Sequence, residues 1–168
     1  MRIENGMIDH VYPVAELHAE SWRTAYAGIM PGSFLNESLL ENRLTLWRER
    51  LAVPTPGAGF FVARDDDGRL RGFCYFIPQP DGRILLDNLH VRPGLTGSGI
   101  GAALLRHGLA WAAREHPAGE VYLEVLSANT RAIAFYERHG AVRTDARTCF
   151  FPQGLELPEF EYAWRAAN

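Results

Sequence analysis

Two cysteines in 168 residues, Cys74 and Cys149, are too few for a disulfide framework. Each lies in an apolar, strand-like run, Gly-Phe-Cys-Tyr-Phe and Thr-Cys-Phe-Phe, so both are read as buried free thiols of a reducing compartment. No apolar run approaches the ~20 residues of a membrane span. Met1 to His10 holds Arg2, Glu4 and Asp9 where a signal peptide needs an apolar stretch. The expected location is the cytoplasm, with no membrane partner. Neither sign of charge dominates: the net charge is −3 and the basic residues are dispersed, which argues against nucleic acid as a partner. Internal repeats and low-complexity segments are lacking. What remains is 47% hydrophobic and 11% aromatic, enough to bury a substantial core in one domain, residues 1–168.

Residues 1–12 read as a short edge strand. Pro13 suits the first turn of a helix, and Val14, Leu17, Ser21, Trp22, Ala25 and Tyr26 share one face to about Ala27. After Gly28 to Gly32, Ser33 is expected to cap a second helix through Leu35, Leu39, Leu44, Trp47 and Leu51. Phe60 to Arg64 and Leu70 to Ile77 read as strands joined by the turn Asp65-Asp66-Asp67-Gly68, an acidic run that is a solvated turn and not a metal site. A strand at Ile84 to Val91, a helix from Ala102 to Arg114 and a strand at Val121 to Leu126 form a crossover that makes the two strands parallel. Asn129 caps a last helix closed by Gly140, and Val142 to Phe151 with Leu157 to Trp164 form a closing antiparallel pair. The order predicts an α/β domain with a mixed sheet of about seven strands.

The stretch between the central strand and its helix carries chemistry. Gly97, Gly99 and Gly101 alternate with Ser98 and Ile100 just where the strand turns into the helix. Glycines there let the backbone approach a ligand and turn N–H groups toward one point, at the positive end of the helix dipole. That is a phosphate socket. It lacks the Gly-Lys-Ser/Thr ending of a nucleotide-hydrolase loop and the G-x-G-x-x-G spacing of a dinucleotide fingerprint. A tight turn without a ligand is the competing reading.

Val91-x-Pro93 followed by Thr96-Gly97-Ser98-Gly99-Ile100-Gly101 resembles the Q/R-x-x-G-x-G/A pyrophosphate loop of the GNAT superfamily of acyl-CoA-dependent N-acetyltransferases, with Thr96 standing where Gln or Arg is usual. Asn129-x-x-Ala132-x-x-Phe135-Tyr136-Glu137-x-x-Gly140 is similar to that family's N-x-x-A-x-x-F-Y-x-x-x-G segment. The likeness covers Phe60 to Gly140, and Ser21 to Pro31 resembles the acceptor-side helix of small bacterial members. It implies flanking helices and two parallel strands that splay at their ends around an acetyl-CoA thioester. The pyrophosphate would meet Thr96 to Gly101, and the pantetheine arm would add to the edge of Leu89, His90 and Val91.

By the same resemblance Asn129 holds the pantetheine, where a plain helix cap competes. Tyr136 faces the thioester sulfur as general acid, where a core aromatic competes. Glu124, in Leu123-Glu124-Val125, resembles the glutamate base of ribosomal-protein alanine N-acetyltransferases. Its place on a strand expected to be covered on both faces implies partial burial and a raised pKa. An ion pair with a nearby Arg or Lys is the competing reading, and Asp87, His90 or water are the other bases. Trp22, Tyr26, Trp47, Tyr75 and His90 can wall an acceptor pocket or belong to the core, and Asp87 joins Trp22, Tyr26 and Tyr75 as a substrate-binding candidate. The implied activity is direct transfer of acetyl from acetyl-CoA to a primary amine of a small molecule or peptide, by a monomer or homodimer. A non-catalytic acyl-CoA sensor is the alternative.

Overall fold

The computed structural model describes residues 1–36, 38–151 and 154–165. Seven strands form one sheet: β1 (Arg2–Asn5), β2 (Gly59–Arg64), β3 (Leu70–Pro78), β4 (Ile84–Val91), β5 (Val121–Leu126), β6 (Val142–Phe150) and β7 (Glu156–Trp164). Their order across the sheet is β1-β2-β3-β4-β5-β7-β6. Every neighbouring pair is antiparallel except β4 with β5. The final hairpin therefore enters the sheet with its second strand against β5, leaving β6 at the edge.

Period-two alternation divides the strands between two cores. Phe61, Ala63, Cys74, Phe76, Ile84 and Leu86 point to the face covered by α3 (Ile100–Glu115) and α4 (Thr130–Arg138). Phe60, Val62, Phe73 and Tyr75 point to the other face, against Val14, Ala15 and Leu17 of α1 (Val11–Ala25) and Leu44 and Trp47 of α2 (Ser38–Ala52). A Cβ on Gly108 of α3 would lie 2.1 Å from the Phe76 ring, so only glycine lets that helix seat on β3. Among the described residues no helix is long and apolar enough to cross a membrane.

Two expectations are corrected. Gly32–Phe34 forms a separate 3-10 turn and α2 starts at Ser38, so Ser33 caps no α-helix. The Asn36 side-chain carbonyl instead accepts from the Ser38 N–H at 3.0 Å, a local turn that competes with early helix entry. Both cysteines are free, but only Cys74 is buried; Cys149 sits on the edge strand, where one face lacks a cover.

The feature that positions the site is the parting of β4 and β5. Their register holds only at Ile84 with Val121 and Leu85 with Tyr122. Just beyond, Tyr75 of β3 faces Asn88 and Phe76 faces Leu86, so Asp87 is an extra residue in β4. Such a bulge bends its strand and raises its twist. Leu86 to Val91 thus turn an unpaired backbone edge toward a cleft.

Candidate active site

At the far end of that edge, Val91 leads through the Pro93-Gly94 turn into the glycine stretch. Gly97 and Gly99 have φ of 88° and 86°, in the left-handed region, and Gly99 is the N-cap of α3. The Gly99 carbonyl accepts from Ala103 at 3.0 Å, while among the described residues no protein acceptor meets the Gly97 or Gly99 N–H. Thr96 to Gly99 are exposed, so these donors and the first N–H groups of α3 open to solvent beside the cleft. Two unpartnered loop donors at a helix N-terminus fit a pyrophosphate, and the unpaired edge of Leu89 to Val91 fits an extended amide chain.

Across the cleft, Asn129 caps α4, its Oδ1 accepting from Ala132 N at 3.3 Å. The cap reading therefore holds, and the amide nitrogen of the same side chain remains able to donate. Tyr136 lies two turns on, half-buried, its ring edge-on to Phe135 at 5.3 Å and to Trp164 at 6.0 Å. Burial raises its phenol above the usual tyrosine range, and neighbouring Tyr26 and Cys74 push the same way. Tyr26, the C-cap of α1, thus bears electrostatically on Tyr136.

Glu124 departs from expectation. Its side chain is 37% exposed and pairs with Arg147 at 3.5 Å, because the α1–α2 layer covers β2 to β4 and leaves this face of β5 open. Glu124 stands opposite Glu161 of β7. Burial pushes the Glu161 carboxyl up, but Thr144, Arg83 and Arg147 outweigh it and hold it below the usual range. Glu159, two residues away on β7, behaves oppositely: burial and then the Glu124 charge raise it, against Arg147 and Cys149. Glu159 was illegible in the sequence, since a glutamate on a two-faced strand near an exposed edge gives no signal.

The other wall belongs to α1, α2 and β4. Trp22 meets Tyr26 edge-on at 5.3 Å, and Arg43 lies over the Trp22 ring at 4.5 Å. Asp87 is bound to Arg50 at 2.7 Å, and the same guanidinium donates to Asn88 at 2.8 Å. Tyr75 and Trp47 are core residues, 3% and 0% exposed, so neither walls an open pocket. His90 bonds Ser21 through Nδ1 at 2.8 Å and lies 4.6 Å, centre to centre, from His18. His18 is fully buried and accepts from Trp47 Nε1 at 3.0 Å.

Burial and the charge of Arg43 push His90 down to about 3, and burial, His90, Arg43 and Arg50 lower His18 well below its usual value. Both rings are neutral in the folded chain at working pH. An unfolded histidine binds its proton near pH 6.5, so between there and about 3 the unfolded chain carries more protons than the fold. The contribution is complete above pH 6.5 and is lost as pH falls through that window. Stability should drop on acidification from pH 7 to 4, by at most ~1.4 kcal/mol per pH unit for each histidine. Urea unfolding across that range checks it: the His90→Gln chain should show a shallower slope, and an equal slope would refute the assignment.

Comparison with known proteins places this geometry. Residues 14–141 match the family model described as the acetyltransferase (GNAT) family. The uncharacterized N-acetyltransferase YuaI of Bacillus subtilis is 26% identical, covering 96% of this chain and 91% of that protein. Streptothricin acetyltransferase of Streptomyces lavendulae is 41% identical over 81 residues, 48% of this chain and 42% of its own length. The crystal structure of PaiA N-acetyltransferase from Thermoplasma acidophilum in complex with coenzyme A superposes with a TM-score of 0.68 at 23% identity, covering 94% of this chain and 96% of that one.

Proposed function

The chain belongs to the GNAT acetyltransferase family, and from that premise we propose that it moves acetyl from acetyl-CoA directly onto the primary amine of a small molecule or peptide. The observation that carries the reading is the cleft where β4 leaves β5, with unpartnered N–H groups on the loop that follows β4 and Asn129 and Tyr136 on the helix that follows β5. Acetyl-CoA supplies the acetyl group as an activated thioester. In this reading Gly97 to Gly101 hold the pyrophosphate, the edge of Leu89 to Val91 aligns the pantetheine, and Asn129 donates to it from its free amide. Tyr136 gives its proton to the departing sulfur, and Glu124 takes the proton the acceptor nitrogen must lose. Direct transfer is favoured because neither thiol suits an acyl carrier: Cys74 is fully buried and pushed far up, and burial, Glu159 and Glu124 raise Cys149 as well. A cytoplasmic location goes with free thiols and an acetyl-CoA cosubstrate.

The test is thiol release from acetyl-CoA across a panel of primary amines. Release that tracks amine acetylation supports the reading; acetyl-CoA binding with no release for any amine would make the protein a sensor. For the base, Glu124→Gln should cut kcat/KM by ~10²-fold or more and erase the acidic limb of its pH profile. Acetyl-CoA affinity should not change. A retained acidic limb would move the role to Glu159, since Asp87 is tied to Arg50 and His90 protonates only near pH 3.

A further inference from the structure

The mouth is electrically polarised. Glu124 and Glu159 stand on the β5–β7 side, and on the α1–α2 side stands Arg43, set on the Trp22 ring. Trp22 meets Tyr26 edge-on, and Arg43 also bears on His90 of the unpaired β4 edge, so the cation lies beside the aromatic wall on the acceptor side of the cleft. The second arginine of this wall, Arg50, is already matched by Asp87 and Asn88. Arg43 is not: among the described residues no carboxylate lies within ion-pair distance of it. The side-chain carbonyl of Asn42 takes its Nε and one Nη2 hydrogen, and nothing described takes the Nη1 edge.

Two physical facts make that edge a receptor. Its seat 4.5 Å over an indole restrains the guanidinium, so its free edge is held near one place before a ligand arrives. Half-burial and the repulsion of Arg50 make the lone charge costly, with distant Asp87 only partly offsetting, so an arriving anion gains on both counts. In the core behind this wall a second donor is unmatched. His18 accepts from Trp47 at Nδ1, which puts its proton on Nε2, and that buried atom has no partner among the described residues.

We propose that Arg43, seated on Trp22, receives a carboxylate of the acceptor, so that the substrate is an amine that also carries a carboxylate: an amino acid or a short peptide. The inference rests on the acetyl-transfer reading above and narrows it. The carboxylate docks bidentately on the free guanidinium edge while the ammonium end turns toward the Glu124–Glu159 side, where its proton is removed.

The experiment uses amino acids and dipeptides, each paired with its own carboxamide, which keeps the amine and removes the charge. The readout is the acid-to-amide ratio of kcat/KM. The amide's amine is the less basic and so the more available nucleophile, hence a preference for the acid must come from the protein. The ratio should be ~30 or more for the best pair, the scale of one charge-assisted hydrogen-bonded contact, and should fall toward one in Arg43→Gln through a rise in KM. Arg48→Gln, at an exposed arginine of the same helix, should keep the wild-type ratio. If Arg43→Gln does not fold, Arg43→Lys keeps the charge, loses the fork and should lower the ratio partway. A wild-type ratio near one, or a ratio unmoved by both Arg43 variants, overturns the inference while acetyl transfer stands. Transfer to no member of any pair by a protein that binds acetyl-CoA also overturns it. Failure to bind acetyl-CoA at all brings down both readings.

Discussion

Tyr136→Phe lowers turnover by ~10²–10⁴-fold, the usual worth of a positioned proton donor, and leaves the fold and acetyl-CoA affinity near wild type. The ring is held by Phe135 and Trp164, and Phe keeps those contacts. The hydroxyl has no hydrogen-bond partner among the described residues, so its removal strands no buried group. What is lost is a proton. Burial, Tyr26 and Cys74 hold that proton on the phenol beyond the usual tyrosine range, so the group is neutral and keeps its proton at every working pH. A reluctant acid is matched to its task here, because a thiolate released into the same poorly solvated mouth is also more basic than in water. A corollary is that kcat shows no alkaline fall from this group below pH ~10, where an ordinary phenol ionises. Steady-state turnover with the best acceptor of the amine panel decides it: equal kcat in the Phe chain would return Tyr136 to a packing role.

The elements that local pattern specifies were legible and those that depend on distant partners were not. Ile84 to Val91 and Val121 to Leu126 are strands with the boundaries their apolar runs and flanking Pro93-Gly94 and Gly119 indicate. Their parallel pairing followed from the helix between them. The insertion of β7 between β5 and β6 did not follow, since either strand of a hairpin can face the sheet. Ser33 was misread because a serine ahead of an apolar-periodic stretch looks like a cap whether or not the intervening residues coil more tightly, as Gly32–Phe34 do.

The cofactor side of the cleft was legible because it is built from backbone, and glycine spacing and a helix cap are local signals. The acceptor side is built from side chains of α1, α2, β5, β6 and β7 that meet only in the fold. Glu124 was expected to be buried, on the premise that a central parallel strand is covered on both faces; β5 runs parallel to β4 for two pairs and then stands beyond the α1–α2 layer. Arg43 looks in sequence like any charge on an amphipathic helix. Its meaning lies in Trp22 beneath it and in Asp87 being taken by Arg50.

Gly99→Val removes most acetyl-CoA binding from a folded protein, by ~10–10³-fold in Kd, the loss of one or two hydrogen bonds to a charged phosphate. Gly99 has φ of 86° and ψ of −5°, and a Cβ there meets nothing within 4 Å. The protein itself therefore does not obstruct the new side chain; the strain is in the backbone, where a left-handed β-branched residue costs ~1–2 kcal/mol or more. Relief by rotating φ swings the Gly99 and Ile100 N–H groups off their common point. If the chain keeps its φ instead, the isopropyl group stands in the open space through which a phosphate must approach. Both routes weaken the same contact. The fold survives because α3 is anchored further along by buried Leu104, Leu105 and Ala112 and by Gly108 against Phe76. Gly68, at φ 80° in the β2–β3 turn, supplies the control: Gly68→Val imposes the same strain away from the socket and should leave acetyl-CoA affinity intact. Calorimetric titration of the two chains separates strain from socket. Undiminished affinity in a folded Gly99→Val chain would take the pyrophosphate away from this loop.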